Sequence, residues 1–193
     1  MRLETLTYEK AVFHVAVGEL KNTKNLNKDA MISLASEKGE GIEAVQLLDS
    51  ALIAGEEHLL SAAQNALNAW MGNYAISRSL DVEILLYASG QYQIGIALEK
   101  MGVTDESESV AAVVLAKDES NLRSHVNHIV DRIGSEVHLP FPPTQERIQS
   151  IMTYFGINET EISAVASSDT LEARYQALSG CVTSRVSMVA LDS

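Results

Sequence analysis

The stretch "SLDVEILLYASGQYQIGIALEKMG", Ser79–Gly102, decides the fold class. Taken as a helix, its first half is apolar on nearly every face, since Leu80, Val82, Ile84, Leu85, Leu86 and Tyr87 leave only Asp81 and Glu83 polar. A helix that is hydrophobic all round is buried all round. Ser79 stands where an N-cap belongs, and Asp81 in the first turn opposes the positive end of the helix dipole. Glu83 follows Leu80 by three positions and precedes Tyr87 by four, which sets it among buried residues. A carboxylate there needs a partner, and Arg78 is the nearest basic residue. Gly90 supplies the left-handed residue that ends a helix, and Ile94, Ala97, Leu98 and Met101 form the stripe of a second helix closed by Gly102. The stretch therefore predicts a tight, buried helical hairpin at the centre of the molecule.

Outward from the hairpin, strands and helices mix without regular βαβ alternation. "AVFHVAV" (11–17) is short, rich in β-formers and followed by Gly18, as a buried strand would be. "NLNKDAMISLASEKG" (25–39) predicts a helix and "IEAVQLLDS" (42–50) a second strand. From Glu56 to Met71, Leu59, Ala62, Ala63, Ala66 and Trp70 recur at helical spacing. "VAAVVLA" (110–116) predicts a strand, and Leu122, Val126, Ile129 and Ile133 mark one stripe of the helix after it. All three prolines sit in "LPFPP" (139–143), which predicts a linker, with Thr144 capping a helix over 145–155 that stops at Gly156. A last amphipathic helix runs over 171–186. The expected fold class is α+β, a predominantly helical single domain over residues 1–193 with a small β-sheet.

The charge balance excludes some partners by default. With 26 Asp and Glu against 14 Lys and Arg, the net charge is -12, and such a field repels phosphate backbones and anionic lipid at long range. Nucleic-acid contact would have to be local. The single cysteine, Cys181, permits no intramolecular disulfide, which suits a reducing compartment. "MRLETLTYEK" is charged where a signal peptide is apolar, and the longest apolar run, Val110–Ala116, is far below the roughly 20 residues that span a bilayer. The expected location is the cytoplasm, with no membrane partner.

No catalytic, metal or cofactor motif stands out. His125 and His128 are one helical turn apart, but zinc-binding helices space their histidines i, i+4 and no cysteine accompanies this pair. His14 in an apolar strand and Cys181 in "LSGCVTSR" read as core residues. "GEGIEA" and "SGQYQIG" lack the Lys-Ser or Lys-Thr of a phosphate-cradling loop. Lys21, Lys24 and Lys28 form the one cationic cluster, and with Arg78 they are candidates for local phosphate contact.

"NYAISRSLDVEILLYASGQYQIGIALEKMGV" (73–103) resembles the PRPK-binding protein family, the KEOPS subunit of archaea and eukaryotes, in its archaeal type. The likeness is carried by Asn73, Ala75, Ser79, Leu80, Glu83, Leu85, Leu86, Tyr87, Ser89, Gly90, Gln93, Ile94, Ala97, Leu98 and Gly102. It continues in "IMTYFGINETEI" (151–162) and in the terminal "VTSRVSMVALDS" (182–193), and spans about two thirds of the chain. Tyr92 departs from the pattern, standing where the family commonly has a basic residue.

The resemblance implies a noncatalytic KEOPS subunit that binds and regulates the PRPK-type kinase and ATPase and supports threonylcarbamoyladenosine modification of tRNA. Archaeal relatives are also similar to docking factors for the tRNA 3′ CCA end, which makes Asn73, Arg78, Ser79 and Gln93 the candidates for that contact, since single-stranded bases are read by stacking and edge hydrogen bonds. Val186, Met188, Val189 and Leu191, in "VSMVAL", are candidates for the kinase interface, because binding surfaces centre on apolar anchors. The alternative is a small enzyme of unrelated function that joins His125 or His128 to a carboxylate such as Glu83.

Overall fold

A computed structural model describes residues 1–189. The chain is an α+β fold built on a small antiparallel sheet. β1 (Arg2–Tyr8) and β2 (Ala11–Lys21) make a hairpin, α1 (Lys28–Ser36) leads to β3 (Ile42–Asp49), and a short 3-10 turn (Ser50–Leu52) precedes α2 (Glu56–Met71). α3 (Leu80–Ser89) and α4 (Ile94–Met101) form the helical hairpin, followed by β4 (Ser109–Ala116), α5 (Glu119–Ile133) and the two-residue β5 (Ser135–Glu136). α6 (Gln145–Phe155), α7 (Glu159–Val165) and α8 (Leu171–Val186) complete the described part.

The strand order is β1-β2-β4-β3, with β5 pairing β2 beyond the end of β1. Val15 lies opposite Leu115 and Val17 opposite Val113 in the β2–β4 ladder, while Val45 pairs Val114 in β3–β4. β4 is central and covered on both faces, which is why "VAAVVLA" is a continuous apolar run with every residue from Val110 to Ala116 buried. On one face Val15, Val17, Val113 and Leu115 meet α2 and α3. On the other, Ala16, Leu20, Ala112, Val114 and Ala116 meet α1 and α5. A third cluster, around Ile148, Ile151, Ile162, Leu178 and Val182, joins α6, α7 and α8.

β2 continues four residues past the expected end at Val17, to Lys21. Gly18 lies inside the strand because Met1 packs against it: a Cβ there would stand 3.1 Å from the Met1 side chain and 3.2 Å from its Cα. β1 carries alternating charge and only Leu6 fully buried, a pattern too polar to announce a strand. Its outer edge is closed at Thr7, whose carbonyl accepts from Gln64 Nε2 at 3.0 Å and whose amide donates to Gln64 Oε1 at 3.4 Å.

α3 is buried as its composition demands, with every residue from Glu83 to Ser89 inside. Withdrawing Ile84, Leu85 and Leu86 from water contributes about 1.5–3 kcal/mol each. Gly90 closes it at φ 64°, its amide donating to Leu86 and Tyr87 carbonyls. α4 differs from the expected stripe: Ala97 and Met101 face inward, whereas Ile94 and Leu98 are exposed. The proline segment is non-helical as expected, yet Phe141 within it is fully buried and its amide donates to Glu19 Oε2 at 2.7 Å.

Candidate functional site

The loop from Gly72 to Ser79 joins α2 to the buried α3. α2 ends because Asn73 takes the left-handed conformation, φ 58°, with its amide on the Trp70 carbonyl at 3.3 Å and the Tyr74 amide on Ala69 at 3.0 Å. This is helix closure of the kind asparagine tolerates. The Asn73 side chain itself is exposed.

Glu83 then fixes the far side of the loop. Its carboxylate is wholly buried and accepts from the Ile76 amide at 3.1 Å and the Ser77 amide at 2.7 Å. The partner expected from the sequence, Arg78, is not used: the loop's own backbone satisfies the charge, because two amides converge on it from one turn outside α3. Ser77 Oγ adds a bond to the Ser79 carbonyl at 2.7 Å. Ser79 occupies the N-cap position of α3 without a side-chain capping bond.

The consequence is an outward-facing Arg78. Each of the other arginines is within ion-pair distance of a carboxylate, so Arg78 is the one arginine among the described residues that keeps its guanidinium for solvent. Beside it, Tyr74 is 53% exposed, with its ring packed over Gly72. Tyr74 is not among the residues that the sequence singles out; its signal is an aromatic residue within four positions of an arginine in a loop. Tyr87, by contrast, is buried, and desolvation, with Glu83 and Tyr74 nearby, pushes its phenol up to about 12. It is not available for stacking.

Asn73, Arg78 and Ser79 therefore share one loop. Gln93 is exposed at the N-cap of α4, removed from them by the length of α3, about 15 Å for ten residues. The lysine cluster lies elsewhere, around the acidic loop Asp105–Glu108. Lys21 is 3.4 Å from Glu108, and the Lys28 amide donates to Asp105. The nearby carboxylates offset the positive field that Lys21, Lys24 and Lys28 suggest in sequence. At the end of α8, Val186 and Val189 are buried in the protein's own core and Met188 is half exposed; Leu191 lies outside the described residues.

The carboxylate and histidines of the enzyme alternative are not brought together. Glu83 belongs to the sheet face covered by α2 and α3, and His125 and His128 project from α5 on the opposite face. The acid beside His128 is Glu37, at 3.5 Å. His125 is held below its ordinary pKa by burial and by His128. Among the described residues no group of three or more His, Cys, Asp and Glu side chains is placed to hold a metal ion. Burial raises the Cys181 thiol above its usual range, which leaves it a poor nucleophile. No helix among the described residues is long and apolar enough to cross a membrane.

A buried histidine that the sequence does not reveal ties the site to the core. His58 in α2 accepts from the Ala54 amide through Nδ1 at 3.1 Å and donates from Nε2 to the Ala88 carbonyl of α3 at 2.8 Å. Acceptance at Nδ1 requires the neutral ring, and burial lowers its pKa to about 4 against the opposing pull of the Ala88 carbonyl. A family model described as "Kinase binding protein CGI-121" matches residues 17–190.

Proposed function

The chain belongs to the CGI-121 family of kinase binding proteins, and from that membership we propose that it is a noncatalytic KEOPS-type subunit. In this reading it binds and regulates a PRPK-type kinase and ATPase in the cytoplasm, and through it supports threonylcarbamoyladenosine modification of tRNA. The family match over residues 17–190 carries the reading.

A second role, holding the tRNA 3′ CCA end, is favoured by the loop from Asn73 to Ser79. It offers what a single-stranded end needs despite a net charge of -12: one unpaired arginine, an exposed tyrosine and an exposed asparagine on a backbone fixed by Glu83. Gln93 would contribute only to a strand that runs the length of α3. Of the lysine cluster, Lys24 makes no ion pair among the described residues and is available to phosphates farther along.

The test is a pair of binding measurements with the PRPK-type kinase of the same genome and with tRNA carrying or lacking CCA. Capture of the kinase and a CCA-dependent shift support both roles. Capture alone leaves a regulator without RNA docking, and failure of both sinks the proposal.

A further inference from the structure

β3 is an edge strand: it pairs β4 on one side, and on the other, among the described residues, only an isolated bridge joins Leu48 to Gly102. α1 covers one face of the sheet beside this edge, and α3 with α4 covers the other. Around the edge Lys38, just after α1, reaches Asp81 of α3 at 3.5 Å. A groove of about 390 Å³ remains between the two layers, walled by Ile32, Ala35, Val45, Leu47, Val82 and Leu98.

The groove continues an exposed apolar surface. Ile32 on α1 is 48% exposed and Leu98 on α4 is 52% exposed. Ile94, one turn before Leu98 on the same helix face, is 40% exposed. Tyr92 and Ile96 add two more large exposed side chains to the same short segment. Scattered single apolar residues need no explanation, but exposed apolar side chains that line a groove, as Ile32 and Leu98 do, mark a contact surface.

Two charges at the groove are incompletely answered within the chain. Asp81 has one oxygen, Oδ2, 3.5 Å from Lys38 Nζ, while Oδ1 is buried without a hydrogen-bond partner among the described residues. A carboxylate oxygen withdrawn from water without a donor is costly. Lys28, exposed at the rim, makes no ion pair among the described residues. The groove thus presents apolar walls with a partly exposed carboxylate, Asp81, and an unpaired cation, Lys28, beside them.

We propose that this groove is where the kinase partner docks, taking an apolar segment of the kinase that brings a basic side chain to Asp81 and an acidic one to Lys28. The inference rests on the kinase-binding reading above and specifies its surface. It places the docking surface away from the end of α8, where Val186 and Val189 already serve the core.

The experiment measures affinity for the purified PRPK-type kinase of the same genome, using wild type, Leu98→Asp, Ile32→Asp, Asp81→Asn and Met188→Asp. Leu98, Ile32 and Met188 are all surface positions, so equal unfolding midpoints confirm that each variant folds. The expected result is at least about 10-fold weaker binding for Leu98→Asp and Ile32→Asp, as for central apolar anchors, a smaller loss with reduced salt dependence for Asp81→Asn, and no change for Met188→Asp. Full affinity in Leu98→Asp and Ile32→Asp, or loss confined to Met188→Asp, overturns the groove and leaves the kinase-binding function standing. A wild-type dimer that Leu98→Asp splits without altering kinase affinity also overturns it, since the occupant is then a second copy. Wild type that does not bind the kinase at all overturns the functional reading and this inference with it.

Discussion

Arg147 Nη2 lies 3.6 Å from Glu19 Oε1, and both side chains are nearly withdrawn from water. The same guanidinium donates to the carbonyls of Ser50 at 2.6 Å and Ile53 at 3.1 Å and stands over the Phe141 ring. Glu19 also accepts from the Phe141 amide. A single charge pair thus fastens the proline segment and α6 to β2 and to the turn before α2.

Removing one partner from this pair leaves the other buried and unanswered. Arg147→Met is expected to cost about 3–5 kcal/mol, read as a lower urea midpoint. Arg147→Lys restores little of it, because a lysine cannot span Glu19 and two carbonyls at once. The double variant Glu19→Gln, Arg147→Met is expected to be more stable than the sum of the single losses; strict additivity would show that the pair does not act as a unit.

Glu83 makes a similar demand with a different partner. Glu83→Ala strips the Ile76 and Ser77 amides of their acceptor and opens a cavity in the wholly buried α3, at an expected cost of about 3 kcal/mol or more. Hydrogen exchange reads the mechanism directly. The Ser77 amide should lose protection far more than the α2 amides; uniform loss would mean a global rather than a local role.

His58 gives the protein an acid sensitivity of known sign. Its folded pKa is about 4 against an ordinary 6.5, so between those values the unfolded chain binds a proton that the native chain refuses. The stabilisation is complete above pH 6.5 and is lost as pH falls towards 4, on the order of 3 kcal/mol over the whole window. Urea melts at about pH 7 and about pH 5, on either side of the ordinary histidine pKa, measure it. His58→Gln is less stable at neutral pH but should fall less between the two conditions than wild type; parallel curves would assign the acid sensitivity to carboxylates instead.

Arg78 and Tyr74 are the positions where an RNA role is open to disproof. Arg78→Glu and Tyr74→Ala are each expected to weaken a CCA-dependent tRNA shift about 10-fold, consistent with base stacking worth about 1–3 kcal/mol. Neither should move the unfolding midpoint, since both side chains are exposed. Unchanged tRNA binding in both variants would remove this loop from consideration.

Legibility from sequence follows burial. α3, β4 and the stripe of α5 are readable because their apolar residues face the core on nearly every side or at strict helical spacing. β1 is not, because an edge strand with one buried residue carries the polarity of a loop. α4 is readable as a helix but not in its orientation, since Ile94 and Leu98 repeat as a core stripe would and yet remain outside. The candidate loop is visible through Asn73, Arg78 and Ser79, but its organising contact is not. Glu83 satisfies itself on backbone amides, which no side-chain pattern encodes. Glu19, His58 and Arg147 escape for the same reason: their partners are carbonyls, amides or residues far off in the chain.

Gln64 imitates a neighbouring strand. By offering its amide group to both the N–H and the C=O of Thr7, it occupies the pair of groups that an incoming extended chain would need, so β1 cannot template polymerisation at that point. The opposite border of the sheet has, among the described residues, only the Leu48–Gly102 bridge. The two margins of the sheet therefore differ: a side-chain amide caps the β1 edge at Thr7, and the β3 edge carries no such cap among the described residues.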